Sequence, residues 1–453
     1  MAPLSVRPTS GVLFPVISVN NIRKALGFLL GGAAWFPSFA LVVVRNNGLQ
    51  VAPVLAAILL LLVAVDLKNL RFSKNLLVVT IFWLMVLAVS TLFSPHRDQA
   101  LRGSFLLLSG FLVLHAAYFL GRHEGGRDSF FSGYTVGGVF SSLYAGYQLL
   151  AFSIGWPGGT LFNNNPSFPS YAQSSWLEGV GRAFAFTPEP SVLSSLLIPL
   201  ILVHYAKYFL EEKKIKNLFV LAVCFFGLIS SSSLAIMVTL PLSFFCFIII
   251  NKKLKLNIMN YKKVIVFVCL LLVFAFLTSV YTNIDWQVAK RFQGGLAMLV
   301  EGETLEAGSV LIRFFSGLAA IQLFFERPVF GWGLFATSPE FEDKLPSLFA
   351  VFEEKTGVDS WFLGFAMWQG LAGLLVFGFL LYLALKATKK ELPLQAAFIG
   401  VVITIFFQTG YILLYHVWAF LGLALASQHL SKQDLFDAVS DTGSNKQREK
   451  LDQ

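Results

Sequence analysis

Apolar residues in this chain neither alternate with polar ones nor keep to one face of a helix. They run on continuously for a dozen to some twenty-five residues and stop at short polar loops. Crossing the hydrocarbon core of a bilayer takes roughly 20 such residues. The pattern therefore predicts membrane-spanning helices over 26–44, 51–65, 76–93, 105–120, 130–154, 191–210, 218–230, 234–250, 264–281, 361–385, 396–407 and 411–426. The seventh and eleventh are short. Strands of a membrane barrel would show period-two alternation, which these runs lack. The expected fold class is all-α: a polytopic membrane protein of about 12 transmembrane helices.

Composition agrees with the pattern. Hydrophobic residues make up 56% and charged residues 13% of the 453, against roughly 25% charged in soluble domains. The placement of the charges then orients the helices. Lys68, Arg71 and Lys74 share one set of loops with Arg122, Arg127, Lys213, Lys214 and Lys216. Lys252, Lys253, Lys255, Lys262, Lys263, Lys386, Lys389 and Lys390 continue that set, while the alternate short loops hold little beyond Arg45 and Arg97. Basic loops stay in the cytoplasm, so both termini are expected there. The net charge of +9 then reads as anchoring to the inner membrane surface, with no nucleic-acid partner. The three cysteines, Cys224, Cys246 and Cys269, fall inside apolar runs, which predicts neither a disulfide framework nor a metal cluster. No cleavable signal peptide is evident, because the run at 11–19 is short and is followed directly by Arg23 and Lys24.

The expected organisation is one transmembrane domain over 1–430 and a disordered cytoplasmic tail over 431–453. Two extracytoplasmic loops break the run of tight turns, 155–189 and 282–360. Loops of that length are uncommon unless functional or disordered. Within the second, 309–326 reads as a helix of about five turns, apolar on most faces, with Arg313, Ser316 and Gln322 as polar breaks. It is expected to lie in the interface or to be re-entrant. A full crossing would turn the lysines at 386–390 outward, against the charge rule.

Ionic residues at the outer boundary are the candidates for chemistry, because a membrane chain carries few charges without a use for them. Arg182 and Glu189 flank the outer start of the sixth span, where free N–H groups favour an anion. Glu189 has three readings: a helix cap, an ion-pair partner of Arg182, or a group acting on a substrate hydroxyl. Arg313 and Arg327 carry planar forks suited to phosphate. Their alternatives are snorkelling for Arg313 and helix C-terminal capping for Arg327. Asp359 at the start of the tenth span is either an N-cap or a general base. Arg291, Tyr415 and His416 complete the candidates. The chain has no Asp-x-Asp, His-x-x-x-His, Cys-x-x-Cys or P-loop pattern, so no metal, cofactor or ATP-driven step is expected.

Four stretches, taken in order, resemble the O-antigen ligase and O-antigen polymerase (Wzy) superfamily of bacterial membrane glycosyltransferases. Gly181-Arg-Ala-Phe-Ala-Phe-Thr-Pro-Glu-Pro-Ser191 is similar to the Arg-x-x-Gly-x-Phe-x-Glu-Pro-Ser type of motif, with Ala185 where Gly is more usual. Ile229-Ser-Ser-Ser-Ser-Leu-Ala235 resembles a Ser-rich turn but lacks the arginine often found there. Arg313 through Phe330-Gly-Trp-Gly333 resembles an Arg, Pro, Gly-x-Gly signature. Asp359-Ser-Trp-Phe-Leu363 followed by Gly370-Leu-Ala-Gly373 resembles a His-Asn-x-x-Leu…Gly-Leu-x-Gly element, with aspartate where ligases usually carry histidine. The resemblance covers about 181–373.

It implies a donor oligosaccharide on undecaprenyl pyrophosphate, used at the periplasmic face of the inner membrane without a metal. Arg182, Arg313 and Arg327 would bind the pyrophosphate, and Asp359 or Glu189 would take the proton of the acceptor hydroxyl. A chain-length regulator and a flippase would be partners. The Glu-Pro-Ser form tilts the reading toward polymerase. A ligase that moves polymer onto lipid A-core is the alternative, and a flippase or transporter a more distant one.

Overall fold

The computed structural model describes residues 18–44, 47–65, 73–159, 164–166, 183–208, 214–231, 233, 235–251, 308–344, 358, 360–408, 411 and 413–428. Arg182, Arg291, Asp359, Cys269, the predicted span 264–281 and the tail 431–453 lie outside them. The described helices are α1 (Val19–Ala33), α2 (Val51–Val65), α3 (Lys74–Leu92), α4 (Arg97–Arg122) and α5 (Gly126–Ile154). They continue as α6 (Pro190–Ala206), α7 (Ile215–Ser231), α8 (Ala235–Ile250), α9 (Gly308–Glu326) and α10 (Ser338–Lys344). The last are α11 (Trp361–Ala387), α12 (Leu392–Phe407) and α13 over 415–428. Among the described residues, α3, α4 and α11 are long and apolar enough to cross a membrane, and α2, α6, α7, α8 and α12 form a shorter apolar set. The chain is thus a predominantly helical protein of membrane type.

Local chemistry sets several helix limits. Ser18, Ser73 and Ser360 cap α1, α3 and α11, each accepting from the backbone N–H three residues on. Left-handed Gly125 and Gly155 bracket α5. Predicted span 51–65 coincides with α2, and 361–385 with nearly all of α11. The first predicted span, 26–44, divides instead. Helix α1 begins earlier and stops at Ala33, and β1 (Ala40–Val44) pairs antiparallel with β2 (Asn47–Gln50), Val44 opposite Asn47. Val42, Val43 and Val44 favour an extended chain. Continuous apolarity had hidden that signal.

Helix α6 is the central pillar. Every residue from Pro190 to Ala206 is buried, as expected of a helix apolar on all sides. It packs against α12, α7 and α8. Helix α13 lies beside α4, where Trp418 covers Gly110 and Leu423 and Ala426 cover Gly121. Trp418 also joins an aromatic cluster with Trp83, Phe111 and Trp361, ring centroids 5.0–5.8 Å apart.

Helix α11 is broken in its middle. Gly370 adopts φ 62°, ψ −159°, a conformation close to glycine-only. The loop after α9 meets the break. The Leu371 and Ala372 N–H groups donate to Pro328 O (2.7 Å) and Val329 O (3.1 Å), while Trp332 and Gly333 N–H donate to Met367 O (3.1 Å) and Trp368 O (2.8 Å). Trp83 Nε1 donates to Gln369 Oε1 at 2.8 Å, and Ser90 Oγ to Trp368 O at 2.9 Å. An interrupted helix at membrane depth needs its freed peptide groups met by protein, and this loop meets them. Two stretches singled out in the sequence, Phe330–Gly333 and Gly370–Gly373, therefore dock on one another.

Candidate functional site

Helix ends sort the bundle into two poles. At one pole the α6 and α12 termini carry basic and polar partners. Arg127 pairs with Glu391, Lys207 lies 5.5 Å from the Phe131 ring centre, and His204 Nδ1 is 3.0 Å from Asn217 Oδ1. At the other pole the beginnings of α6, α8, α11 and α13 meet the ends of α5, α7 and α12. The candidate site is built there.

Its floor is the strap 183–189, which leads into α6. Gln148 of α5 holds the strap by its backbone. Its Oε1 accepts from Phe184 N (3.0 Å) and Ala185 N (2.7 Å), and its Nε2 donates to Ala185 O (3.2 Å) and Gly159 O (2.7 Å). Ala183 N donates to Ser230 O at the end of α7 (3.0 Å). The chain turns at Ala185 with φ 50°, a left-handed conformation that disfavours any residue with a Cβ. That explains why glycine is the more natural residue at this point of the motif. Thr187 Oγ1 lies 2.6 Å from Phe184 O and 2.9 Å from Glu189 O, bracing the turn.

Glu189 stands in extended conformation immediately ahead of α6, with Pro190 in the first turn. Its carbonyl accepts from Val192 N and Leu193 N, but its side chain makes no capping bond. Ser191 Oγ donates to Glu189 Oε1 at 2.5 Å instead. The carboxylate is half-buried, makes no bond to the free N–H groups of its helix, and is held by the Ser191 hydroxyl of the first turn. Of the readings open for Glu189, the side-chain cap is the one that this geometry removes.

Beneath it lies Gln408, fully buried just past α12. Its Nε2 donates to Ser191 O at 2.9 Å and also to Ser194 Oγ, and its Oε1 accepts from Thr239 Oγ1 of α8 at 3.2 Å. Alongside, Trp361 Nε1 donates to Tyr411 O at 3.2 Å, and Phe362 stacks on Phe406 with centroids 5.0 Å apart. The start of α11 is thereby fixed beside the end of α12.

Arg313 sits half-buried in the first half of α9, one turn before Gly317, whose Cα faces Leu363 of α11. Its helix thus lies against the first turns of α11, directly after position 359. Arg327 is oriented differently. Its Nη1 donates to Phe93 O at 3.0 Å, and its guanidinium lies 4.4 Å from the Trp332 ring centre. That is the geometry of an anchor for the 328–333 loop. Tyr415 turns its hydroxyl to Ser109 Oγ of α4 (2.8 Å). His416 is fully buried, and neither ring nitrogen has a hydrogen-bond partner among the described residues. No group of three or more potential metal ligands occurs among the described residues.

Sequence reasoning passed over Gln148, Gln369 and Gln408. The signal was present: each is a lone amide in an otherwise apolar run, and polar groups at such positions are retained for a partner.

Residues 218–378 match the family model Wzy_C, described as O-antigen ligase. The match takes in α7 through most of α11, including Arg313 and the loop that meets the α11 break, and begins after the strap that carries Glu189. It supports placement in the O-antigen ligase and polymerase superfamily, whose members are membrane glycosyltransferase-like enzymes of polysaccharide synthesis acting on lipid-linked sugars. No curated protein matches the chain.

Proposed function

We propose that this chain, with an O-antigen ligase domain over 218–378, is a polysaccharide polymerase of the inner membrane. It would have about twelve spans and both termini in the cytoplasm. It transfers an oligosaccharide from undecaprenyl pyrophosphate to a sugar hydroxyl of a second lipid-linked repeat at the periplasmic face. The observation that carries this reading is Glu189: a half-buried carboxylate at the mouth of a wholly buried helix, not used as a cap. A flippase supplying lipid-linked repeats and a regulator of chain length are the partners that such a reaction calls for.

In this reading Arg182 and Arg313 grip the diphosphate and stabilise the charge that develops as the anomeric C–O bond breaks. Glu189, or Asp359, accepts the proton of the incoming hydroxyl as the new glycosidic bond forms. Undecaprenyl pyrophosphate departs with the electron pair. Arg291 is a further cation of the same outer loop. Arg327 holds the loop that binds α11, and Tyr415 and His416 support the site from α13. The ligase reading is favoured by the description of the matching family, the polymerase reading by the Glu-Pro-Ser strap.

The test uses purified protein in proteoliposomes with lipid-linked repeats. Wild-type protein lengthens the chains, and Arg182→Gln and Arg313→Gln stop elongation while leaving protein amount and melting temperature near wild type. Unchanged elongation in both variants removes the arginine assignment. The lipopolysaccharide of a deletion strain separates the two enzymes: core carrying one repeat marks a polymerase, and core without repeats marks a ligase.

A further inference from the structure

The Gln408 amide has no contact with the outer surface, yet each of its polar atoms is engaged at the foot of the α6 entrance. Its donors go to Ser191 O and Ser194 Oγ, and its acceptor takes the Thr239 hydroxyl. Ser191 in turn places its own hydroxyl 2.5 Å from Glu189 Oε1. A three-link chain therefore runs from α8 through Gln408 and Ser191 to the Glu189 carboxylate. It ties α6 and α8 to the residue that follows α12.

We infer that Gln408 is a positioning residue for the reaction, setting the Glu189 carboxylate through Ser191. The inference rests on the transferase reading above and on Glu189 as the group that meets the acceptor hydroxyl. The residue type is demanding. A carbonyl and a hydroxyl receive hydrogens from it while a second hydroxyl donates to it, and a primary amide supplies two donors and an acceptor on one planar head. Glutamate at 408 would lose the donors and set a second carboxylate near Glu189. Leucine would remove the bonds to Ser191 O, Ser194 Oγ and Thr239 Oγ1 together, leaving Ser191 O with the Ser194 hydroxyl but no tie to α8 or α12 through this position. Serine at 191 is needed for the last link, which gives the Glu-Pro-Ser sequence a physical reason for its third residue.

The test measures elongation kinetics in proteoliposomes for wild type, Gln408→Leu, Thr239→Val and Glu189→Asp, with rates divided by the amount of folded protein. Misplacing a reacting group by ~1 Å costs on the order of 100-fold. Gln408→Leu is therefore expected to lower kcat by about 10- to 100-fold at little-changed KM. Thr239→Val keeps shape and fold, and is expected to lower kcat by a few fold in the same direction. In the Glu189→Asp background, where the carboxylate is already displaced, Gln408→Leu should add less than about twofold. Four results overturn the inference: multiplying losses in the double variant, a fall confined to KM, wild-type kcat per folded molecule in both Gln408→Leu and Thr239→Val, or wild-type rates from Glu189→Asp. Failure of the wild-type protein to elongate any lipid-linked repeat instead removes the transferase reading itself.

Discussion

Gln148 grips Ala185 by the peptide groups on both sides of its Cα, accepting from its N–H at 2.7 Å and donating to its carbonyl at 3.2 Å. The two residues are 37 positions apart, on α5 and on the strap. The same amide reaches Phe184 N and Gly159 O, so one side chain replaces the regular backbone pairing that a buried turn lacks. Buried peptide groups left unpaired cost ~1–3 kcal/mol each. Gln148→Leu is therefore expected to destabilise by several times that unit. A thermal melt followed by size-exclusion chromatography should show a clear drop in midpoint, and Gln148→Glu should drop as well, because a buried carboxylate would face Ala185 O and Gly159 O with no donor.

The turn at Ala185 gives a second expectation. A left-handed residue bearing a Cβ costs roughly 1–2 kcal/mol, offset in part by the greater freedom of glycine in the unfolded chain, ~0.4–1 kcal/mol. Ala185→Gly should keep both melting temperature and elongation close to wild type. Ala185→Val, β-branched at φ 50° in a buried turn, should lower both, and equal behaviour of the two variants would argue against the turn.

The interlock at Gly370 predicts a sharp contrast along one helix. A Cβ there would sit 2.5 Å from the Val329 carbonyl carbon and oxygen, in addition to a backbone cost of about 1–3 kcal/mol. Gly370→Ala should severely reduce folded yield. Gly378 on the same helix has nothing within 4 Å of such an atom, so Gly378→Ala should be neutral or stabilising by up to ~1 kcal/mol. Detergent-solubilised yield and melting midpoint compare the pair directly.

Arg313 and Arg327 should separate in their effects. Arg327 is engaged by Phe93 O and the Trp332 ring, and Arg327→Gln removes a charge-assisted bond and a cation–π contact, ~2–3 kcal/mol together. It should act mainly on the melting midpoint. Arg313→Gln should act mainly on elongation rate. The comparison fails if both change the same quantity.

The helices themselves were largely legible, because apolar length is a one-dimensional signal: α2 and α11 begin where their runs begin. The hairpin was not, because Val42–Val44 is as apolar as a span and only its branching distinguishes it. The candidate cations and carboxylates were legible as charges out of place. Their supports were not: Gln148, Gln369 and Gln408 bind partners 37, 286 and 217 residues distant, and sequence spacing says nothing about such pairs. Arg327 shows the converse. Its contacts with the Phe93 carbonyl and the Trp332 indole could not be read from the Pro-Gly-rich signature beside it.

The tie between the 328–333 loop and α11 also constrains how the protein is made. Its first strand of partners leaves the ribosome some forty residues before the second, so the tie closes only once the later helix has emerged. Until then the peptide groups of the 328–333 loop lack these mates, and lipid offers none. The two segments must consequently complete their insertion as a pair, and a substitution that blocks the tie would be felt first in biogenesis, as a chain halted at the translocon.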